Sequence, residues 1–166
     1  MLLALDMSTK STGYSIFDND KLICSGCLTA SSTDTIKRIR KIMSELQPIL
    51  EQYNITEVVA EEVLPDKETG ETKNLRTQKV LMWMQGALEF LIYDFNSKIK
   101  IEYVYPSTWR KSCGIKNGKG IKRDTLKPKD IQFVKETFNL DVNDDEADAI
   151  CIGYYATHKP KEINWE

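Results

Sequence analysis

Histidine is almost missing from this chain: of 166 residues only His158 carries an imidazole, and it sits in the polar stretch Thr157-His158-Lys159-Pro160-Lys161. An imidazole base needs an orienting partner, so histidine-based triads and zinc sites are set aside. Cysteine is sparse as well. Of Cys24, Cys27, Cys113 and Cys151, only the first two form a C-x-x-C, and no second pair completes a zinc site. That pair falls in a β-like run, where residues three apart point to opposite faces, so reduced thiols are expected. No 18 apolar residues run together, and Met1-Leu2-Leu3-Ala4-Leu5-Asp6 meets a carboxylate without a basic lead. Neither a membrane span nor a secretory leader is expected, and the expected location is the cytoplasm.

Internal repeats, low-complexity tracts and long linkers are also missing, so one domain is expected over residues 1–158 with a short tail at 159–166. A chain of this length buries roughly 70% of its unfolded surface and needs no disulfide staples. Leu2 to Asp6, Gly13 to Asp18 and Lys21 to Ala30 read as three strands of an antiparallel meander. From Ser32 the period turns helical, with Ile36, Ile39, Ile42, Leu46 and Leu50 on one side and Pro48 expected to kink or divide the helix. Glu57 to Val63 reads as a buried central strand and Pro65 to Asn74 as a loop. A long helix from Leu75 to Phe95 and a strand from Ile99 to Tyr105 follow, with a helix start near Trp109 after Pro106. Helices over Pro128 to Phe138 and Asp144 to Thr157 close the chain. This order predicts an α/β fold: a ribonuclease-H-like mixed five-stranded sheet with helices on both faces.

Carboxylates stand at telling places in that order. Asp6 ends the first strand, Glu61 or Glu62 ends the fourth, and Asp145 and Asp148 open the last helix. The i, i+3 spacing of the last two puts both on one helical face. By strand alternation one of Glu61 and Glu62 points to solvent, and Glu62 is the weaker candidate. Acids gathered within about 4 to 6 Å repel one another unless a cation lies between them. Oxygen ligands without imidazole or thiolate select Mg²⁺, with Mn²⁺ able to substitute. Two such ions about 3.5 to 4 Å apart hold the attacking and leaving oxygens of a phosphodiester in line. Against this, Asp144, Asp145 and Glu146 also suit a helix first turn, where negative charge is favoured.

The net charge of −2 says nothing of nucleic acid, but its distribution does. Residues 107–129 hold Arg110, Lys111, Lys116, Lys119, Lys122, Arg123, Lys127 and Lys129 against Asp124 alone, a local charge of +7, while the remainder carries −9. A basic, glycine-bearing loop beside an acidic pocket suits a polyanion, although such runs are often only solvated. The long helix is apolar around too much of its circumference: beside the stripe Leu81, Met84, Leu88, Leu91, Ile92 and Phe95 it carries Val80, Trp83, Ala87 and Phe90. It must be covered on a second side, and a twofold homodimer through residues 75–95 is the expected cover.

These residues resemble the RuvC family of Holliday-junction resolvases, and the compact chain looks like a phage-encoded member. Leu5-Asp6-Met7-Ser8-Thr9-Lys10-Ser11-Thr12-Gly13-Tyr14 is similar to the family's first-strand motif, Ala60-Glu61-Glu62-Val63 to its glutamate strand, and Asp145-Glu146-Ala147-Asp148-Ala149 to its closing motif. The resemblance implies Asp6, Glu61, Asp145 and Asp148 as ligands of two metal ions per site. It implies Lys127 as the basic catalytic residue near the scissile phosphate, and Arg110 or Lys111 as a DNA contact. The long helix would be the family's dimer helix. Two departures stand out. The family's Pro-Gly after the first aspartate is Met7-Ser8 here, and its base-stacking aromatic is Leu64, which implies relaxed sequence preference. The expected activity is a Mg²⁺-dependent endodeoxyribonuclease making paired nicks across four-way DNA junctions, in the host cytoplasm if phage-encoded. The competing expectations are a broader branched-DNA or RNA–DNA hybrid nuclease of the same fold, and a non-catalytic junction-binding protein.

Overall fold

The computed structural model describes residues 1–63, 72–116, 121 and 123–159, the side chains at 72–74 and 123–124 excepted. Its elements are β1 (Leu2–Asp6), β2 (Ser11–Asp18), β3 (Lys21–Thr29), α1 (Thr35–Gln52) and β4 (Glu57–Glu61), then α2 (Thr72–Phe95), β5 (Ile101–Val104), α3 (Pro106–Ser112), α4 (Arg123–Phe138) and α5 (Asp144–His158). One five-stranded sheet runs in the order β3-β2-β1-β4-β5. The meander pairs antiparallel, whereas β4 joins β1 in parallel with Leu5 opposite Ala60, and β5 joins β4 in parallel.

Side-chain alternation sorts the strands between two cores. Leu3, Leu5, Val58 and Ala60 face α1 and α2, packing with Leu46, Leu50, Leu88 and Ile92. Leu2, Ala4 and Val59 face the other way, onto Trp109 of α3, Val134 of α4 and Ile150 and Ile152 of α5. Continuing the period of two, Asp6 and Glu61 fall on this second face and Glu62 on the first. The C-terminal ends of two neighbouring parallel strands thus carry both acids toward the same helical layer.

Several boundaries differ from the sequence expectation. Helix α1 is continuous through Pro48, because the apolar face Ile39, Ile42, Leu46 and Leu50 buries enough surface to offset one lost backbone hydrogen bond. Its start is set by Asp34, whose carboxylate accepts from the Ile36 and Lys37 amides at 2.8 and 3.2 Å. Helix α4 begins at Arg123 rather than Pro128 and takes the proline into its body. Pro106 is the first residue of α3, with Tyr105 at the cap. The fourth strand stops at Glu61, not Val63.

Helix α5 lies close on the sheet because small residues meet there. Ser15 donates to the Ala149 carbonyl at 2.8 Å, and a Cβ on Gly153 would run into the Phe17 ring. At Gly13, opposite Asp6 in the β1–β2 register, a Cβ would fall on the backbone carbonyl of Asp145. That contact sets the N-terminus of α5 beside the end of β1. Gly13→Ala should therefore lower stability by about 1–3 kcal/mol, or about 2–4 °C in Tm per kcal/mol, measured by thermal melting. A melt unchanged from wild type would show that this close approach is not obligatory.

Candidate active site

At the C-terminal ends of β1 and β4 the acids are drawn inward by different partners. Asp6 is buried at 7% exposure and Asp148 at 2%. Asp148 is carried by the helix segment Ala147 to Gly153, every residue of which is buried. Burial, then the charges of Asp6 and Asp130, push the Asp148 carboxyl up to about 9, with Arg110 opposing them. Arg110 Nη2 donates to Asp148 Oδ2 at 3.3 Å, and Asp148 Oδ1 is buried with no hydrogen-bond partner among the described residues. Glu61 Oε2 accepts the Trp109 indole N–H at 3.0 Å. Glu62 turns to the opposite layer, as alternation requires, but Gln85 of α2 donates to it at 3.4 Å, so, contrary to expectation, neither glutamate points freely to solvent.

Helix α5 is capped by Asn143, which accepts from the Glu146 amide at 2.9 Å and from the Cys27 thiol at 3.2 Å. Asp145, half-buried in the first turn, lies near enough to Cys27 for its charge to push that thiol up, after the larger effect of burial. Cys24 packs against the opposite core, so the C-x-x-C is split across the sheet, and all four cysteines are free. His158 ends α5 stacked on Tyr154 at 3.9 Å.

Among the described residues no three carboxylate, imidazole or thiol groups converge closely enough to enclose an ion. Asp6 and Asp148 come together electrostatically, while Glu61 and Asp148 have each taken a protein donor. The donor set still fits a hard cation. Two buried acids share one region, and one of them holds a carboxylate oxygen without a donor.

The basic residues divide. Lys111 and Lys116 are exposed at the end of α3 and just beyond it. Lys127 pairs with Asp144 and holds that carboxyl below its usual range. Arg110, expected with Lys111 as a candidate DNA contact, is turned inward. It is 5% exposed, and its Nε and Nη2 donate to Asp130 at 3.0 and 2.9 Å, because its α3 face packs against α4 and α5. Asp130, fully buried, escaped the sequence reading. Its signal was an acid at the middle of the stripe Leu126, Asp130, Val134, on the face that α4 buries. Lys119, Lys122, Leu64 and residues 65–71 of the expected loop from Pro65 to Asn74 lie outside the described residues, as does the Arg123 side chain, while residues 72–74 of that stretch belong to α2.

The long helix leaves an apolar strip uncovered. Leu75, Met82, Phe90 and Tyr93 are each more than half exposed and Trp83 is 44% exposed, at spacings that place them on one face, while Met84, Leu88 and Ile92 are buried. No helix among the described residues is long and apolar enough to cross a membrane.

The chain belongs to the family described as Lactococcus phage M3 protein, whose model matches residues 1–158. That description fits a phage origin. No curated protein matches it in sequence. Among solved structures it is similar to T. thermophilus RuvC in complex with Holliday junction substrate, at 13% identity and TM-score 0.71 over 94% of this chain and 92% of that one. It is similar to the yeast mitochondrial Holliday junction resolvase Ydc2, at 13% identity and TM-score 0.60 over 94% and 77% of the two chains. The Fowlpox virus resolvase, in complex with substrate Holliday junction DNA, matches at 18% identity and TM-score 0.52 over 95% and 98%. The mixed sheet with helices on both faces is accordingly the ribonuclease-H-like fold expected from the element order.

Two measurements follow from the Asp148 environment. Without divalent ions the folded protein keeps on Asp148 a proton that the unfolded chain releases above about pH 3.9. Stability should therefore fall as pH rises from there toward about 9, and Asp148→Asn should flatten that slope in urea melts. Mn²⁺ at 100 times its Kd should raise the wild-type Tm by about 5–10 °C and leave Asp148→Asn unmoved. Equal shifts in both proteins would show that Asp148 is not a metal ligand.

Proposed function

We propose that this chain is a divalent-metal-dependent endonuclease that resolves four-way DNA junctions as a homodimer. The observation that carries the reading is the buried Asp148 carboxylate beside Asp6, with Oδ1 left unpartnered at the end of the sheet. Asp6 and Asp148 would hold the cation, with Glu61 and Asp145 completing its ligands. Mg²⁺ or Mn²⁺, one or two per site, supplies when bound the Lewis acidity that phosphodiester hydrolysis needs.

The chain's own residues supply position and charge. Trp109 orients Glu61 by its indole N–H, and Arg110 holds Asp148. Lys111 and Lys116, exposed at and just beyond the end of α3, would grip the DNA backbone, and Lys119, Lys122 and Arg123 of the same basic run would add to that grip. Lys127 would exchange Asp144 for a phosphate oxygen near the scissile bond. In-line attack by water would leave a 5′-phosphate and a 3′-hydroxyl.

The uncovered face of α2 supports the dimer: Met82, Trp83, Phe90 and Tyr93 form an apolar strip that a second copy would cover, placing two sites across a twofold axis. Paired cutting follows from that symmetry. The absence of a three-group metal cluster among the described residues favours, as a second reading, a junction-binding protein without catalysis.

The test is a gel assay of labelled four-way, three-way, flap and RNA–DNA hybrid substrates with and without Mn²⁺. Paired nicks in the four-way junction alone support resolution. Cutting of all branched substrates supports the broader nuclease, and tight binding without nicking supports the architectural reading. Asp6→Asn should abolish cutting, by at least about a hundredfold, while junction binding persists; normal cutting by this variant would refute the metal assignment. Phe90→Glu should shift the protein from dimer to monomer in sedimentation and convert paired nicks to single, uncoupled ones. A variant that stays dimeric would place the interface elsewhere.

A further inference from the structure

Arg110, Asp130 and Asp148 come from three different helices and meet inside the protein. The guanidinium lies over the Trp109 ring at 4.1 Å and is forked onto Asp130 through Nε and Nη2, with Nη2 also reaching Asp148 Oδ2 at 3.3 Å. Asp130 is 0% exposed, so nothing in solvent competes for its charge. Glu61, held by the neighbouring residue Trp109, also acts electrostatically on Arg110. One guanidinium thus serves two acids, with its fork committed to Asp130.

The division of Asp148 between its two oxygens is the informative detail. Oδ2 is taken by Arg110; Oδ1 is equally buried and has no donor among the described residues. An arginine whose charge was not already matched would be a poor neighbour for a metal site, since it would repel an incoming cation and compete for the carboxylate. Asp130 removes that conflict, for it neutralises Arg110 and fixes its fork, so that only one N–H is turned to Asp148.

We propose that Arg110, gripped by Asp130, is a positioning residue that occupies Oδ2 of Asp148 and so reserves Oδ1 as the single oxygen offered to a divalent cation shared with Asp6. The role rests on the nuclease reading only in placing a cation at Asp148. Asp130 then supports metal binding, although it touches no metal. Without its charge, Arg110 turns wholly to Asp148 and opposes the ion. Outer partners of this kind typically change metal affinity by about 10–100-fold.

The experiment titrates Mn²⁺ into the full-length protein without DNA, following free Mn²⁺ by EPR below the melting temperature of every variant. Asp130→Asn is expected to weaken Mn²⁺ binding about 10–100-fold. In cleavage, the Mn²⁺ concentration for half-maximal rate should rise by the same factor, with kcat recovered at saturating metal. Junction binding in EDTA should not change. Arg110→Lys, which cannot fork, should act in the same direction, and it carries the comparison if Asp130→Asn fails to fold. Wild-type Mn²⁺ affinity in variants that melt earlier would reduce the network to a structural one and overturn the proposal. Weakened junction binding in EDTA by Arg110→Lys, with Mn²⁺ affinity intact, would make Arg110 a DNA contact and overturn it too. Absence of Mn²⁺ binding by the wild type would remove both this role and the metal-dependent reading.

Discussion

A carboxylate buried beside other carboxylates is the constraint around which this molecule is arranged. Asp148 lies within the apolar body of α5, near Asp6 and Asp130, and one guanidinium answers for two of the three. Such a group costs free energy unless its charge is matched or its proton kept. The fold responds by bringing α3, α4 and α5 together at one point. Arg110 from the first joins Asp130 and Asp148 from the others, and Trp109 covers the guanidinium while tying down Glu61. Loss of Arg110 leaves Asp130 buried with its charge unmatched.

The sheet makes that arrangement possible. Because β1 and β4 are parallel neighbours in register, their last residues leave the sheet side by side on the same face. Gly13 and Gly153 then let α5 approach without a Cβ in the way. Position is thus imposed from the backbone upward, by pleat, register and two close approaches. The side chains at the site are held by polar contacts from helices that pack for apolar reasons.

Two exposed surfaces differ in kind. The strip on α2 is aromatic and apolar, whereas Lys111 and Lys116, at and just beyond the end of α3, are exposed and basic. The solved structures of like fold include complexes with Holliday junctions, and the family is a phage one. At 13 to 18% identity these likenesses show a shared fold, and a fold alone does not fix a reaction.

Much of this was written in local patterns. Unlike the parallel pairing of β1 with β4, the meander, the helices and the opposite facing of Glu61 and Glu62 follow from periods of two and 3.6, which depend on neighbours in the chain. The apolar excess of the long helix was legible for the same reason. Pro48 and Pro128 misled, since tertiary burial outweighs a local breaker. The fate of Arg110 was not legible at all. In sequence it belongs to a basic run, and only packing of α3 against α4 and α5 takes it out of water and gives it to Asp130 and Asp148. Which charges a chain contains is a local fact, but which of them must answer one another depends on helices distant in sequence coming within a few ångströms, where water no longer screens them.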